Sequence, residues 1–194
     1  MSLQLRKTMT VTEFEAFINE LGNTHTRFEL IDQEVVEVPS NPLASEIAVL
    51  ISFFIRLFLR ENNIKGHITG EGGGYIINGH VFAPDVAYLS HERQSALHSK
   101  GFNPIPPELA VEVISDPSNS AEQTDLRRKL AHYRVAGVVT WVVDHATRHV
   151  EVHLPDGSMS VLNETMTLSG GDVLPGFALP VHEIFPANDG DASE

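Results

Sequence analysis

Apolar residues along this chain switch between a spacing of three to four and a spacing of two or less, so helices and strands alternate. Thr12 and Glu15 have capping-box spacing, and Phe14, Phe17, Ile18 and Leu21 then form one helical face before Gly22, which predicts a helix over roughly 12–21. RFELI and EVVEVPS read as short strands joined by a tight hairpin at Asp32-Gln33. Ser40 or Asn41 can cap a helix with Pro42 in its first turn. Ile47, Leu50, Ile51, Phe54, Ile55, Phe58 and Leu59 recur at helical spacing after it, so this helix is expected to carry much of the core.

In HITGEGGGYIINGHVFAPDVAYLS, strand-like runs alternate with glycines, and Asn78-Gly79 signals a hairpin; a curved antiparallel ribbon should lead into a strand at Asp85. The prolines of NPIPP stop any helix before ELAVEVIS, whose near-continuous apolar character suits a central strand covered on both faces. DPSNSAEQT reads as a loop, DLRRKLAHYRVA as a helix ended by Gly137, and VVTWVVD as another buried strand. HVEVHLPDGSMSVLN reads as a hairpin turning at Pro155-Asp156-Gly157. Strands alternating with a crossover helix give an α/β class: a mixed sheet flanked by helices, with no internal repeat.

The 194 residues suit one domain over 10–186, between a flexible start at 1–9 and an acidic flexible tail at 187–194. A net charge of −13 repels phosphate backbones beyond a Debye length and weighs against strong nonspecific DNA binding, although a local basic stripe can dominate at contact. Absence of cysteine excludes disulfides, a thiolate nucleophile and Cys-based zinc sites, and fits a reducing compartment. The N-terminal stretch lacks a signal-peptide core, and the most apolar run, IAVLISFFIRLFL, is interrupted by Arg56. A soluble cytoplasmic protein with no membrane span is expected.

Two acids stand out in apolar, strand-like surroundings: Asp85 in APDVAYLS and Glu112 in ELAVEVIS. Burying a carboxylate among Val, Ala and Ile costs several kcal/mol unless a cation or dense hydrogen bonding offsets it. Mg²⁺ or Mn²⁺ suits such a site, since hard cations take oxygen ligands, activate water and neutralise a phosphate. Asp85 follows Pro84 and so belongs at a strand entrance; the alternative is a turn or capping aspartate. For Glu112 the alternative is a purely structural pair with a buried Arg or Lys. Lys129 shares a helical face with Asp125 and Tyr133 and can orient the attacking water or stabilise developing charge; otherwise it makes an ordinary Asp–Lys surface pair.

Arg127 and Arg128, with Lys129, His132 and Arg134, concentrate positive charge that can contact substrate phosphates, or simply form a solvated face. Glu46, early in the second helix, is a further candidate acid, although acids in a first turn also serve the helix dipole. No HxH occurs, His145 and His149 are four apart but flank a predicted turn and not a helix, and the histidines read mostly as surface residues. GEGGGY lacks the Lys-Ser/Thr of a phosphate loop, and no serine sits in a nucleophile elbow.

RFELIDQEVVEVPS, APDVAYLS, ELAVEVISDPS, DLRRKLAHYRVAGVVTWVVD and LSGGDVLPGFALPVHEIF, in that order, resemble a bacterial restriction-endonuclease-like nuclease family of the PD-(D/E)XK superfamily, over about residues 10–186. The resemblance implies a metal-dependent DNA endonuclease site in which Asp85 matches the PD aspartate and Glu112 the acid of the next strand. Ile114 stands where the superfamily pattern has lysine, and Lys129 on the helix matches the family's relocated lysine. Gln33 replaces a usual Gly, and Ala44 a common His. A homodimer acting on DNA is the expectation from this resemblance. A catalytically silent nucleic-acid or protein binding module on the same fold, or a hydrolase of another phosphate ester, are the rivals.

Overall fold

Local sequence signals set most of the elements: α1 (Val11–Leu21), β1 (Arg27–Ile31), β2 (Glu34–Val38), α2 (Pro42–Glu61), β3 (Gly66–Gly70), β4 (Tyr75–Ile77), β5 (His80–Phe82), β6 (Val86–Ser90), β7 (Leu109–Ile114), α3 (Ser120–Val135), β8 (Val139–Asp144), β9 (His149–His153), β10 (Met159–Asn163), β11 (Thr167–Ser169) and β12 (Ala178–Pro180). They are seen in a computed structural model that describes residues 8–21 and 26–186; the expectations for 1–7 and 187–194 lie outside the described residues. Among the described residues Thr8 bridges Glu34, and Met9 is buried with its N–H on the Gln33 carbonyl.

A six-stranded sheet has the order β10-β9-β8-β7-β6-β3, with β7 and β8 parallel and the other pairs antiparallel. A four-stranded sheet, β2-β1-β5-β4, lies against it. The parallel pair requires a crossover, which α3 supplies. Pleating sorts the large sheet's two faces: Val86, Tyr88, Val111 and Val113 join Ile47, Ile51, Ile55 and Leu59 of α2, while Ala87 and Ala110 join Ile31, Phe82 and Tyr133 on the other side. Phe14 of α1 packs on the outer side of the small sheet with Leu30 and Val81. Glu112 lies between Val111 and Val113 on the central strand, so it faces the small sheet and α3.

Three expectations shift in detail. The capping pair at the start of α1 is Thr10 and Glu13, not Thr12 and Glu15: Glu13 accepts from the Thr10 N–H, and Thr10 Oγ1 accepts from the Glu13 N–H. The glycine-rich ribbon splits, β3 joining the large sheet and the β4–β5 hairpin the small one. Helix α3 begins at Ser120 instead of Asp125, because Asn119 caps the Ala121 and Glu122 amides, while Glu122 reaches back to the Ser115 and Asp116 amides. The apolar α2 is long enough to cross a membrane by length and composition, yet Ala44, Ile47, Ala48, Ile51, Ile55 and Leu59 are buried against the sheet. Asn41, as expected, caps it through the Ala44 N–H.

The β4–β5 and β1–β2 turns use the left-handed region. Asn78 and Gly79 have φ of 52° and 79°, and Asp32 and Gln33 have φ of 49° and 65°, the signs of a type I′ turn. Asn and Gly tolerate this; Gln33 carries a Cβ there at a cost. Gln33→Gly should therefore stabilise the domain by about 1 kcal/mol in urea unfolding, and an unchanged or lower midpoint would show that the turn is not strained.

Candidate active site

Three acids and one ammonium meet where the two sheets and α3 converge. Lys129 Nζ donates to Glu29 Oε1 at 2.9 Å and to Glu112 Oε2 at 2.7 Å, and the Tyr133 hydroxyl donates to Glu112 Oε1 at 2.7 Å. Glu29 comes from β1, Glu112 from β7, and Lys129 and Tyr133 from successive turns of α3. Glu29, Glu112 and Lys129 are 2%, 7% and 5% exposed, which rules out a surface ion pair for Lys129. Asp125 pairs instead with Arg128.

Asp85 is placed by register. Val86 pairs with Val111, so one step before the strand Asp85 comes opposite Glu112, and its Oδ2 accepts the Val113 N–H at 2.7 Å. The Ala83 N–H is held by Glu29 Oε1 at 2.7 Å, tying the approach to β6 to the small sheet. Asp85, Glu29, Glu112 and Lys129 line a pocket of about 120 Å³ walled by Val36–Pro39 and by Ala121, Glu122 and Asp125 of α3. Such a volume takes an ion with a few waters, not a base.

Burial dominates the electrostatics. It pushes the Asp85 carboxyl up to about 6 against the lowering effect of the Val113 amide and Lys129. Burial likewise raises Glu112, with Lys129 opposing and the Glu29 and Asp85 charges adding to the rise. Tyr133 lies well above its ordinary value, through burial and then the Glu112 charge, and remains a phenol donor. Lys129 is raised despite burial because Glu112 and Glu29 flank it, so it stays charged. Three carboxyl groups around one ammonium leave an excess of negative charge that a divalent cation would neutralise, and the donors are all hard oxygens. Asp85 Oδ1 and Glu29 Oε2 make no hydrogen bond among the described residues and are free to ligate. The donor set therefore fits a hard divalent cation: Asp85 Oδ1 and Glu29 Oε2 are open, and each Glu112 oxygen, already accepting from Lys129 or Tyr133, keeps a second lone pair.

A family model described as "Putative restriction endonuclease", Uma2, matches residues 11–182. The chain belongs to the Uma2 family. A solved structure, "a putative nuclease belonging to DUF820 from Anabaena variabilis ATCC 29413", aligns with a TM-score of 0.75 over 91% of this chain and 97% of that one at 19% identity, a likeness of fold. No curated protein matches.

In this Uma2 member the structure brings Asp85, Glu112 and Lys129 together and leaves three other expected residues elsewhere. Glu46 is exposed on α2 and does not line the pocket, because α2 packs on the opposite face of the large sheet. Arg128 is committed to Asp32, Glu34, Asp125 and the Ile31 carbonyl, so it docks α3 on the β1–β2 turn. Arg127 is exposed beside a separate groove with Arg134 and His153. Sequence reading missed Glu29, which the alternation of RFELI already placed with Leu30 and Ile31 in a strand, and gave Tyr133 no role of its own.

It also missed a grouping of Asp32, His80 and His132, whose ligand atoms lie within 4.8 Å of one another. His80 Nδ1 accepts the Asp32 N–H, and Asp32 already holds Arg128 and His132, so these donors are engaged in turn-to-helix docking.

Asn at position 85 keeps an acceptor for the Val113 amide and removes the charge. The carboxyl's folded-state pKa is raised, so the folded protein binds the extra proton between about pH 4 and 6, and stability is lost as pH rises through that window. Asp85→Asn should thus stabilise the metal-free protein by about 3 kcal/mol at pH 8 and by little at pH 4 in urea titrations. Destabilisation at pH 8 would contradict the burial argument.

Proposed function

We propose that this Uma2 protein is a Mg²⁺- or Mn²⁺-dependent endonuclease hydrolysing DNA phosphodiester bonds. The observation that carries the reading is the pocket in which Glu29, Asp85 and Glu112 surround the single ammonium of Lys129. A divalent cation held there supplies water activation and charge neutralisation at phosphorus. Asp85 and Glu112 hold the cation, Glu29 adds an oxygen and fixes Lys129, and Tyr133 orients Glu112. The Lys129 ammonium positions the attacking water or offsets charge developing on the phosphoryl oxygens. Arg127 is offered as a contact to the DNA backbone beyond the pocket.

A hydrated phosphate edge fits a pocket of about 120 Å³ better than a base does, which agrees with a sequence-indifferent contact at the chemistry itself. The cytoplasm is the proposed location, where both DNA and Mg²⁺ are available, and the acting species is proposed to be a homodimer.

Plasmid cleavage with Mn²⁺ tests the proposal. The wild type should nick or linearise DNA, while Asp85→Asn and Glu112→Gln should lose about 100-fold or more and retain folded circular dichroism spectra. Lys129→Ala leaves Glu29 and Glu112 buried without their cation and should cost about 3–5 kcal/mol of stability, so its activity is interpretable only at temperatures where it stays folded. Wild-type protein that binds Mn²⁺ and DNA but leaves DNA intact across metals and salt would favour the silent binding module.

A further inference from the structure

The apolar run that makes α2 is only half explained by the core. Its inward residues pack on the large sheet, but Val49 and Phe53 are 64% and 55% exposed, and Leu43 is 40% exposed. Glu46, Val49, Phe53, Arg56 and Arg60 are all exposed, and their 3-4-3-4 spacing puts them on one stripe down the helix. Leu50 and Leu57, half-buried, flank that stripe.

The stripe has a symmetry of its own. Phe53 lies midway between Glu46 and Arg60, and midway between Val49 and Leu57. We infer that this face of α2 is a self-association surface, on which α2 of a second copy of this chain packs antiparallel about a two-fold axis through Phe53. In that arrangement Phe53 meets Phe53 of the second copy, Val49 meets its Leu57, and Leu50 lies under the aliphatic stem of its Arg56. Glu46 faces Arg60 of the second copy, and the contact recurs by symmetry at the other end.

Charge selects this occupant. Among the described residues neither Glu46 nor Arg60 has an ion-pair partner within its own chain. The stripe also carries two arginines against one glutamate in a chain of net charge −13, so the two copies meet where their mutual repulsion is least. A parallel arrangement would set like charges side by side. The acid pocket lies across the large sheet from α2, so both pockets stay open in the pair. The inference does not depend on the proposed reaction.

Sedimentation velocity and light scattering on the full chain test it. The wild type should run at twice 21.3 kDa at micromolar concentration. Phe53→Glu should run as a monomer with unchanged circular dichroism and unchanged Mn²⁺ binding. Glu46→Arg and Arg60→Glu should each raise the dimer Kd by about tenfold or more, since each sets like charges face to face twice, and the double exchange Glu46→Arg/Arg60→Glu should restore it. A monomeric wild type would overturn the proposal, as would a dimer that Phe53→Glu leaves intact or single charge reversals that the double exchange does not repair. A monomer that binds lipid vesicles or DNA through Phe53 and the arginines would overturn it in favour of those occupants.

Discussion

The buried ammonium of Lys129 is the constraint on which the architecture turns. It bonds Glu29 of the small sheet and Glu112 of the large sheet from the helix that joins the parallel strands, so one charge fixes the mutual position of three elements. An unpaired buried carboxylate or ammonium costs several kcal/mol, so none of the three is tolerable without the others. Helix α3 is accordingly a polar helix: Lys129 and Tyr133 are its buried residues, and Arg128 and His132 clamp it to the Asp32 turn. Its position is set by directional contacts more than by an apolar face.

The same arrangement leaves the site electrostatically incomplete. One lysine does not balance Glu29, Asp85 and Glu112, and burial, with the neighbouring acids adding to it, raises the carboxyls of Asp85 and Glu112, which is a penalty on the metal-free fold. A fold selected for stability alone would carry an amide or an apolar residue at position 85. Retaining a carboxylate there makes physical sense when a cation completes the site, and the fold supports the position closely: strand register sets Asp85 opposite Glu112, and the Val113 amide holds one of its oxygens while the other stays open.

Much of this was legible in the sequence wherever a local rule governs. The Asn78-Gly79 and Asp32-Gln33 turns, the Asn41 cap, the buried character of ELAVEVIS and the three residues Asp85, Glu112 and Lys129 follow from spacing, side-chain chemistry and the family resemblance. What escaped depends on partners far apart in the chain. Glu29 looks like an ordinary polar residue in a half-exposed strand until Lys129, a hundred residues on, arrives above it. Arg127, Arg128 and Lys129 look alike as a basic run, yet helical rotation sends them to a surface groove, a turn and the pocket respectively. Glu46 lies on the helix face turned away from the acids, a distinction that needs the packing of α2 on the sheet. Two local signals were misread: Thr10 followed by Glu13, and Asn119 followed by Glu122, each have the spacing of a helix start.

Isothermal calorimetry of Mn²⁺ binding, repeated in buffers of different ionisation enthalpy, tests most directly whether the acids form a cation site. At pH 6 Asp85 is about half protonated and Glu112 is also raised, so binding should release about one proton or more and grow tighter towards pH 8, where the release falls towards zero. Absence of saturable binding to the wild type, or binding that Asp85→Asn leaves unchanged, would contradict the account.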